Sequence, residues 1–210
     1  MVEFQSRILG IVDYPVAEGA ATRVFECELP SSVSMPYLSG QFAMISHPDV
    51  KLLGNPSALK WASYSISSSP LLKDRLEFCI GGGSPEGVSH RLMSLKEGDT
   101  ISVRGAFGKF ILDENAPEYV FLATGTGIAP LISMIRTLLG KGVRVPISLY
   151  FGFRFPSQYM YREELENLVH AHSNFRVFIT ASRPDGDWPH LSGHIQDSLK
   201  GYSSPSKDQA

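Results

Sequence analysis

Hydrophobic and polar positions change their period once along this chain. Up to about residue 112 they alternate in short runs. The segment ATRVFECEL sets Val24, Glu26 and Glu28 against Arg23, Phe25 and Cys27, the two-residue period of a half-buried strand. QFAMIS and RLEFCI are further short strand candidates, and TISVRGAFGKFIL is another, interrupted by Gly105 and Gly108. Turn signals separate them at Leu38-Ser39-Gly40, Gly54-Asn55-Pro56 and Gly98-Asp99. Many short strands of this kind predict an antiparallel barrel or sandwich. One short helix is predicted over 87–95, where Val88, Leu92 and Leu95 recur at helical spacing.

After Asn115-Ala116-Pro117 the pattern changes. Residues 119–123 read as a buried strand. Ile128, Leu131, Ile132, Ile135, Leu138 and Leu139 then form a helical stripe. A second strand is predicted over 145–151 and a second helix over 161–170, with Leu165, Leu168 and Val169 turned inward. A third strand covers 175–180, and Ile195 and Leu199 mark a last short helix. The tail SSPSKDQA is polar and loop-like. Alternating strands and helices imply a parallel sheet with crossover helices. The expected division is therefore a β domain over 1–114 and an α/β domain over 115–210.

Between the first strand and helix of the second half lies Thr124-Gly125-Thr126-Gly127. Glycine permits positive φ and close approach of a ligand. The free N–H groups and dipole of a helix start favour an anion. This turn suits a phosphate-bearing ligand, although a plain strand-to-helix turn has the same outline.

Composition narrows the reading. The 210 residues are 43% hydrophobic and 19% charged, ordinary values for a globular chain. A net charge of −2 offers no general attraction for nucleic acid. No apolar run approaches the ~20 residues of a membrane-spanning helix. The start MVEFQSRILGIVDYP has no basic stretch followed by a longer apolar one, so no signal peptide is expected. The two cysteines, Cys27 and Cys79, sit in strand-like runs. They read as buried free thiols and suit a reducing cytoplasm. Two thiols cannot ligate an ordinary iron–sulfur cluster. His190 and His194 have a spacing seen in zinc sites, but no Cys or acidic cluster accompanies them and no metal is expected. His170 and His172 fall at a helix end, and Glu163, Glu164 and Glu166 read as a solvated face.

Several motifs in order carry a resemblance. The chain reads Ala62-Ser63-Tyr64-Ser65-Ile66-Ser67-Ser68, then Gly87-Val88-Ser89, Leu95-Lys96-Glu97-Gly98-Asp99 and Gly105-Ala106-Phe107-Gly108. Gly125-Thr126-Gly127-Ile128-Ala129-Pro130 follows, then LYFGFR with Gly152 and Arg154, and an S-R-P segment at Ser182-Arg183. Together these resemble the ferredoxin–NADP⁺ reductase superfamily. The resemblance implies a six-stranded antiparallel Greek-key barrel that binds FAD, followed by a doubly wound NAD(P)-binding domain. It implies that Tyr64 packs on the isoalloxazine and that Ser65 lies near flavin N5, the two catalytic candidates. Ser63, Ile66, Ser67, Gly87, Val88 and Ser89 would line the cofactor. Thr124, Gly125, Thr126, Gly127, Ile128, Ala129 and Pro130, with Gly152, Arg154, Ser182 and Arg183, would hold the nicotinamide nucleotide. A serine and an arginine at 182–183 favour NADPH over NADH.

Two departures stand out. The arginine that opens the family's flavin motif is Ala62 here. Lys60, two residues earlier on the same strand face, and Arg91 beside Ser89 are the candidate replacements. The chain also stops at Ala210, before the strand that carries the family's Cys-Gly motif, and so reads as truncated. The implied activity is hydride transfer from NAD(P)H to FAD, then electron transfer to a ferredoxin, an oxygenase component or free flavin. Two other readings stay open: an electron-transfer subunit without independent turnover, and a non-enzymatic flavin or nucleotide sensor.

Overall fold

The computed structural model describes residues 2–14 and 21–199; the polar tail lies outside them. The chain divides into two units, Met1–Leu112 with Ala129–Thr137, and Asp113–Ile128 with Leu138–Ala210.

The first unit is built on strand β1 (Val2–Tyr14), which the alternation pattern alone did not single out. Its first half pairs antiparallel with β8 (Thr100–Phe107) and its second half with β2 (Thr22–Glu28), with a register shift between Ile8 and Gly10. One strand thus serves two neighbours, and the shift is the kind of irregularity that bends a sheet. The other members are β3 (Phe42–Ser46), β6 (Ala62–Ser65) and β7 (Arg75–Gly81), in the order β6-β3-β8-β1-β2-β7. An antiparallel bridge from Ile66 to Phe78 joins the two end strands. The six-stranded sheet therefore curls into a near-closed barrel, as expected. Phe25, Ile45, Ile66, Phe78 and Ile101 fill it and are at most 2% exposed. Each contributes about 1.5–3 kcal/mol by burial. Helix α1 (Val88–Leu92) adds Val88 and Leu92 to this core.

Two details differ from expectation. Strand β8 runs through Gly105, which pairs with Val2, and ends before Gly108. Asn55 and Pro56 are not turn residues. Strands β4 (Lys51–Leu52) and β5 (Asn55–Leu59) pair Leu52 with Asn55, which leaves Leu53 and Gly54 as the turn. Glycine at 54 has φ +80°, so the left-handed position falls one residue earlier than the proline suggests. Pro56 is tolerated because a two-stranded ribbon is all edge.

The second unit has four parallel strands, β9 (Tyr119–Thr124), β10 (Ile147–Phe153), β11 (Phe175–Ala181) and β12 (Leu191–Ser192), in sequential order. The crossover helices are α2 (Ile128–Gly140), whose residues Ala129–Thr137 belong to the first unit, and α3 (Arg162–Ala171). The short helix α4 (Ile195–Ser198) follows β12. In β10 every position but Ser148 is buried, the near-continuous apolar run of a parallel strand covered on both faces. In α3, Leu165 is buried and Leu168 half-buried, but Val169 is exposed. Val169 stands one residue past the core-facing stripe. No helix of the described residues is long and apolar enough to cross a membrane.

Candidate functional site

In the barrel unit, two segments 25 residues apart in sequence meet. Tyr64 on β6 and Ser89 on α1 share a hydrogen bond of 2.7 Å between Oη and Oγ. Pairing with Ala43 across the sheet fixes Tyr64, and the burial of Val88 and Leu92 fixes α1. Burial pushes the Tyr64 phenol above its ordinary pKa, against the opposing effect of the Ser89 bond. Tyr64 therefore keeps its proton at neutral pH. Ser65 is half-buried and Ser63 exposed on the same strand. Among the described residues the Ser65 hydroxyl has no hydrogen-bond partner.

Beside this pair lies a cleft of about 500 Å³, lined by Lys60, Gly87 and Arg91 among others. Both candidate replacements for the missing arginine border it, but they are engaged differently. Among the described residues, Lys60 Nζ donates to the Glu86 carbonyl alone, at 3.0 Å. The Arg91 guanidinium is held by Ser94 Oγ at 2.7 Å, Asp49 Oδ2 at 2.8 Å and His47 Nδ1 at 3.4 Å. Lys51, Lys60 and Arg91 set three cations against the carboxylates of Asp49 and Glu86. The expected helix-start anion site is weaker than the motif suggests. Helix α1 has five residues, too few for a substantial dipole, and the Gly87 N–H donates to Ser84 O at 2.8 Å.

Ile66 and Ser67 stand apart from this cleft. Ile66 is fully buried in the barrel core. Ser67 is also fully buried, and its hydroxyl donates to Glu77 Oε1 at 2.8 Å. Arg136 of α2 donates to Glu77 Oε1 at 2.7 Å and to Ser67 O at 2.8 Å. Ser133 Oγ donates to Ser68 O at 2.6 Å, and Ser39 Oγ to Thr137 Oγ1 at 2.7 Å. Ser67 and Ser68 thus anchor residues of α2, and the hydroxyls of Ser67, Ser68 and Ser69 are hydrogen-bonded within the protein. Val88 likewise offers only backbone, because its side chain is 2% exposed.

In the second unit a cleft of about 460 Å³ opens at the carboxyl ends of the parallel strands, where ligands of open α/β sheets bind. Thr124, Gly125, Thr126, Gly152, Arg154 and Ser182 line it. Gly125 has φ +51° and begins a 3₁₀ turn, Gly125–Gly127, that leads into α2. A Cβ on Gly152 would approach Ile195 Cβ to 3.3 Å, so this glycine lets α4 close one side of the cleft. Arg183 does not line it: its backbone N–H donates to Arg154 O and its side chain is exposed. Gly127 and Pro130 are not lining residues either, and Ile128 and Ala129 are buried. Gln158, Thr180, His194 and Gln196 line the cleft but escaped the motif reading. Thr180 stands near the end of β11, Gln158 in the turn after β10, and His194 and Gln196 at the start of α4. Among the described residues that line it none is a carboxylate, and Arg154 carries the one guanidinium.

Residues 121–210 match the family described as oxidoreductase NAD-binding domain. Ferredoxin–NADP reductase B of Sorangium cellulosum is 36% identical over 64% of this chain and 55% of its own length. The cyanelle ferredoxin–NADP reductase of Cyanophora paradoxa is 30% identical over 90% of this chain and 57% of its own. The chain thus spans about half the length of these curated relatives. The fold is that of a ferredoxin NADP⁺ reductase from Neisseria gonorrhoeae solved with bound FAD and NADP. It aligns with a TM-score of 0.76 at 21% identity, over 97% of this chain and 82% of that one. Residues 121–210 thus match an oxidoreductase NAD-binding domain, and the chain is similar in sequence to ferredoxin–NADP reductases and shares their fold.

Proposed function

We propose that this chain is an NAD(P)H-dependent flavoprotein reductase, with FAD held by the barrel unit and the nicotinamide nucleotide by the α/β unit. The observation that carries the reading is the Tyr64–Ser89 hydrogen bond. It joins the aromatic of one flavin segment to the hydroxyl of the other, beside a cleft bordered by Lys60. The residues fit the cofactor: a half-buried aromatic and, among the described residues, an uncommitted serine hydroxyl at Ser65 and a cation, Lys60, whose one partner is a neutral carbonyl. Bound FAD would accept a hydride from NAD(P)H and release its electrons singly or in pairs.

The protein's part is positioning. Tyr64 presents a neutral phenolic ring, fixed by Ser89. Ser65 offers a hydroxyl on the same strand, able to donate to a ring nitrogen. Lys60 supplies the charge that Ala62 lacks, as a point charge without the fork of an arginine. In the second unit the glycines at 125 and 127 leave open space where a Cβ would meet nothing within 4 Å, which suits a phosphate close to the backbone. The absence of a lining carboxylate and the presence of Arg154 support NADPH as the donor. The acceptor is a redox protein such as a ferredoxin or an oxygenase component. Named relatives include a ferredoxin–NADP reductase and the reductase component of a phenol 2-monooxygenase. Cys27 and Cys79 are buried and not joined in a disulfide, which agrees with a reducing, cytoplasmic setting.

The test is the released cofactor. Purified protein should be yellow, and acid treatment should liberate FAD, identified by chromatography. FMN as the sole released flavin would overturn the FAD assignment.

A further inference from the structure

Ser65 ends β6, and the chain on either side of it decides where its hydroxyl stands. Upstream, Tyr64 pairs with Ala43 and bonds Ser89. Downstream, the chain crosses from β3 to β7. Ile66 N donates to Gln41 O at 3.0 Å and Ser67 N to Glu77 O at 2.8 Å. Helix α2 then grips this exit. Arg136 donates to Ser67 O at 2.8 Å and to Glu77 Oε1 at 2.7 Å, and Ser67 Oγ donates to the same carboxylate oxygen at 2.8 Å. We propose that Arg136, braced by Glu77, is a positioning residue of the flavin site: it holds the peptide that follows Ile66 and so sets the place of the Ser65 hydroxyl. The proposal rests on the flavin reading above.

Packing alone does not call for this arrangement. The Arg136 and Glu77 side chains are largely shielded from water. An ion pair so placed gains little net stability over apolar residues of the same volume, so two apolar side chains could join α2 to the barrel as well. They could not hold a carbonyl oxygen, whereas a guanidinium offers several donors in a rigid fork. Here Nη1 reaches both Ser67 O and Glu77 Oε1. The carboxylate fixes the guanidinium, and the guanidinium fixes the peptide. The same helix face holds the next two residues. Ser133 Oγ donates to Ser68 O at 2.6 Å, and Ser69 Oγ shares a 2.8 Å bond with Thr137 Oγ1. Residues 133, 136 and 137 are neighbours on one helix face. Directional bonds thus run from Ile66 to Ser69 and begin directly after Ser65, whose own hydroxyl is uncommitted among the described residues. A group that meets a cofactor ring has to be held to within ~0.5 Å by its supporting shell. A strand end without such bonds would not meet that demand.

A double-mutant cycle tests this on two readouts, FAD affinity and the visible absorption band of the bound flavin. Melting temperatures are measured first, and binding is read well below them. Ser65→Ala and Arg136→Met should each weaken FAD binding about fivefold, the scale of one hydrogen bond, and should shift the flavin band in the same direction. The double variant should lose less than about tenfold, rather than the ~25-fold product of independent effects, because Arg136 acts through Ser65. Its band should shift no further than in Ser65→Ala. Arg136→Lys keeps the charge without the fork and should fall between wild type and Arg136→Met; it completes the cycle if Arg136→Met does not fold. Effects that multiply in the double variant overturn the proposal, because a purely structural Arg136 would act independently of Ser65. Wild-type affinity and spectrum in either single variant overturn it too. A wild-type protein that takes up no FAD overturns the flavin reading itself, and the positioning role with it.

Discussion

Lys60 and Arg91 show how the same charge on one cleft can have different roles. Arg91 spends its three nitrogens on Ser94, Asp49 and His47, whereas Lys60 holds a single carbonyl. Lys60→Ala should therefore weaken FAD binding by about 1.5–3 kcal/mol, the range of a hydrogen bond to a charged group. Arg91→Ala should act mainly on stability. Equilibrium dialysis of the two variants separates them, and unchanged affinity in Lys60→Ala with a large loss in Arg91→Ala would reverse the assignment. His47 adds a pH dependence. Burial and then the neighbouring Arg91 hold its pKa below the ordinary value, while Asp49 and Asp99 pull the other way. Its Nδ1 accepts the Asp49 N–H at 3.2 Å, so the folded state favours the neutral ring. The unfolded chain binds the proton first, near pH 6.5. Stability should thus fall as pH drops through about 6.5 towards the lowered folded value. Thermal melts at about pH 7.5 and 5.5 should show a smaller loss in His47→Gln than in wild type. An equal loss would place the acid sensitivity elsewhere.

At the scale of elements, the strands that carry regular alternation were legible and those that break it were not. Strands β2, β3 and β7 matched their patterns. Strand β1 was missed because Gly10 and a change of partner interrupt its period. The β4–β5 hairpin was missed because Asn55-Pro56 looks like a turn on its own. Tyr64 and Ser89 could be named from the motif, but no local pattern states that their hydroxyls meet. The serines after Tyr64 were harder still. Which of them faces a ligand depends on the bridge from Ile66 to Phe78, a tertiary fact. Ser67 instead joins Glu77 and Arg136, whose side chains are 18% and 17% exposed. Removing one partner of a buried pair costs about 3–5 kcal/mol, and this partly wet pair should lie near the lower figure. Glu77→Ala is expected to lose that much in urea unfolding. A loss below about 1 kcal/mol would mean that the pair behaves like a surface ion pair.

For the whole molecule, the order of motifs was readable from the sequence, and it carried the fold class. The lining of the nucleotide cleft was readable only in part. Gly125, Gly152 and Ser182 lie on it, whereas Arg183 does not; Thr180 enters through its parallel register with Gly152, and Gln158 and His194 from the segments after β10 and β12. With Arg154 as the cleft's guanidinium and no carboxylate to accept ribose hydroxyls, kcat/KM for NADPH should exceed that for NADH at moderate salt. Arg154→Ala should narrow the difference. A higher value for NADH would refute the preference.

The central claim is that this chain joins a flavin site to a nicotinamide nucleotide site. Anaerobic titration of the FAD-loaded protein with NADPH, followed by its visible spectrum, addresses that most directly. The account predicts that the protein takes up FAD and that the visible flavin band bleaches as NADPH is added. A protein that stays colourless in excess FAD, or one whose bound flavin neither NADPH nor NADH bleaches, would contradict it.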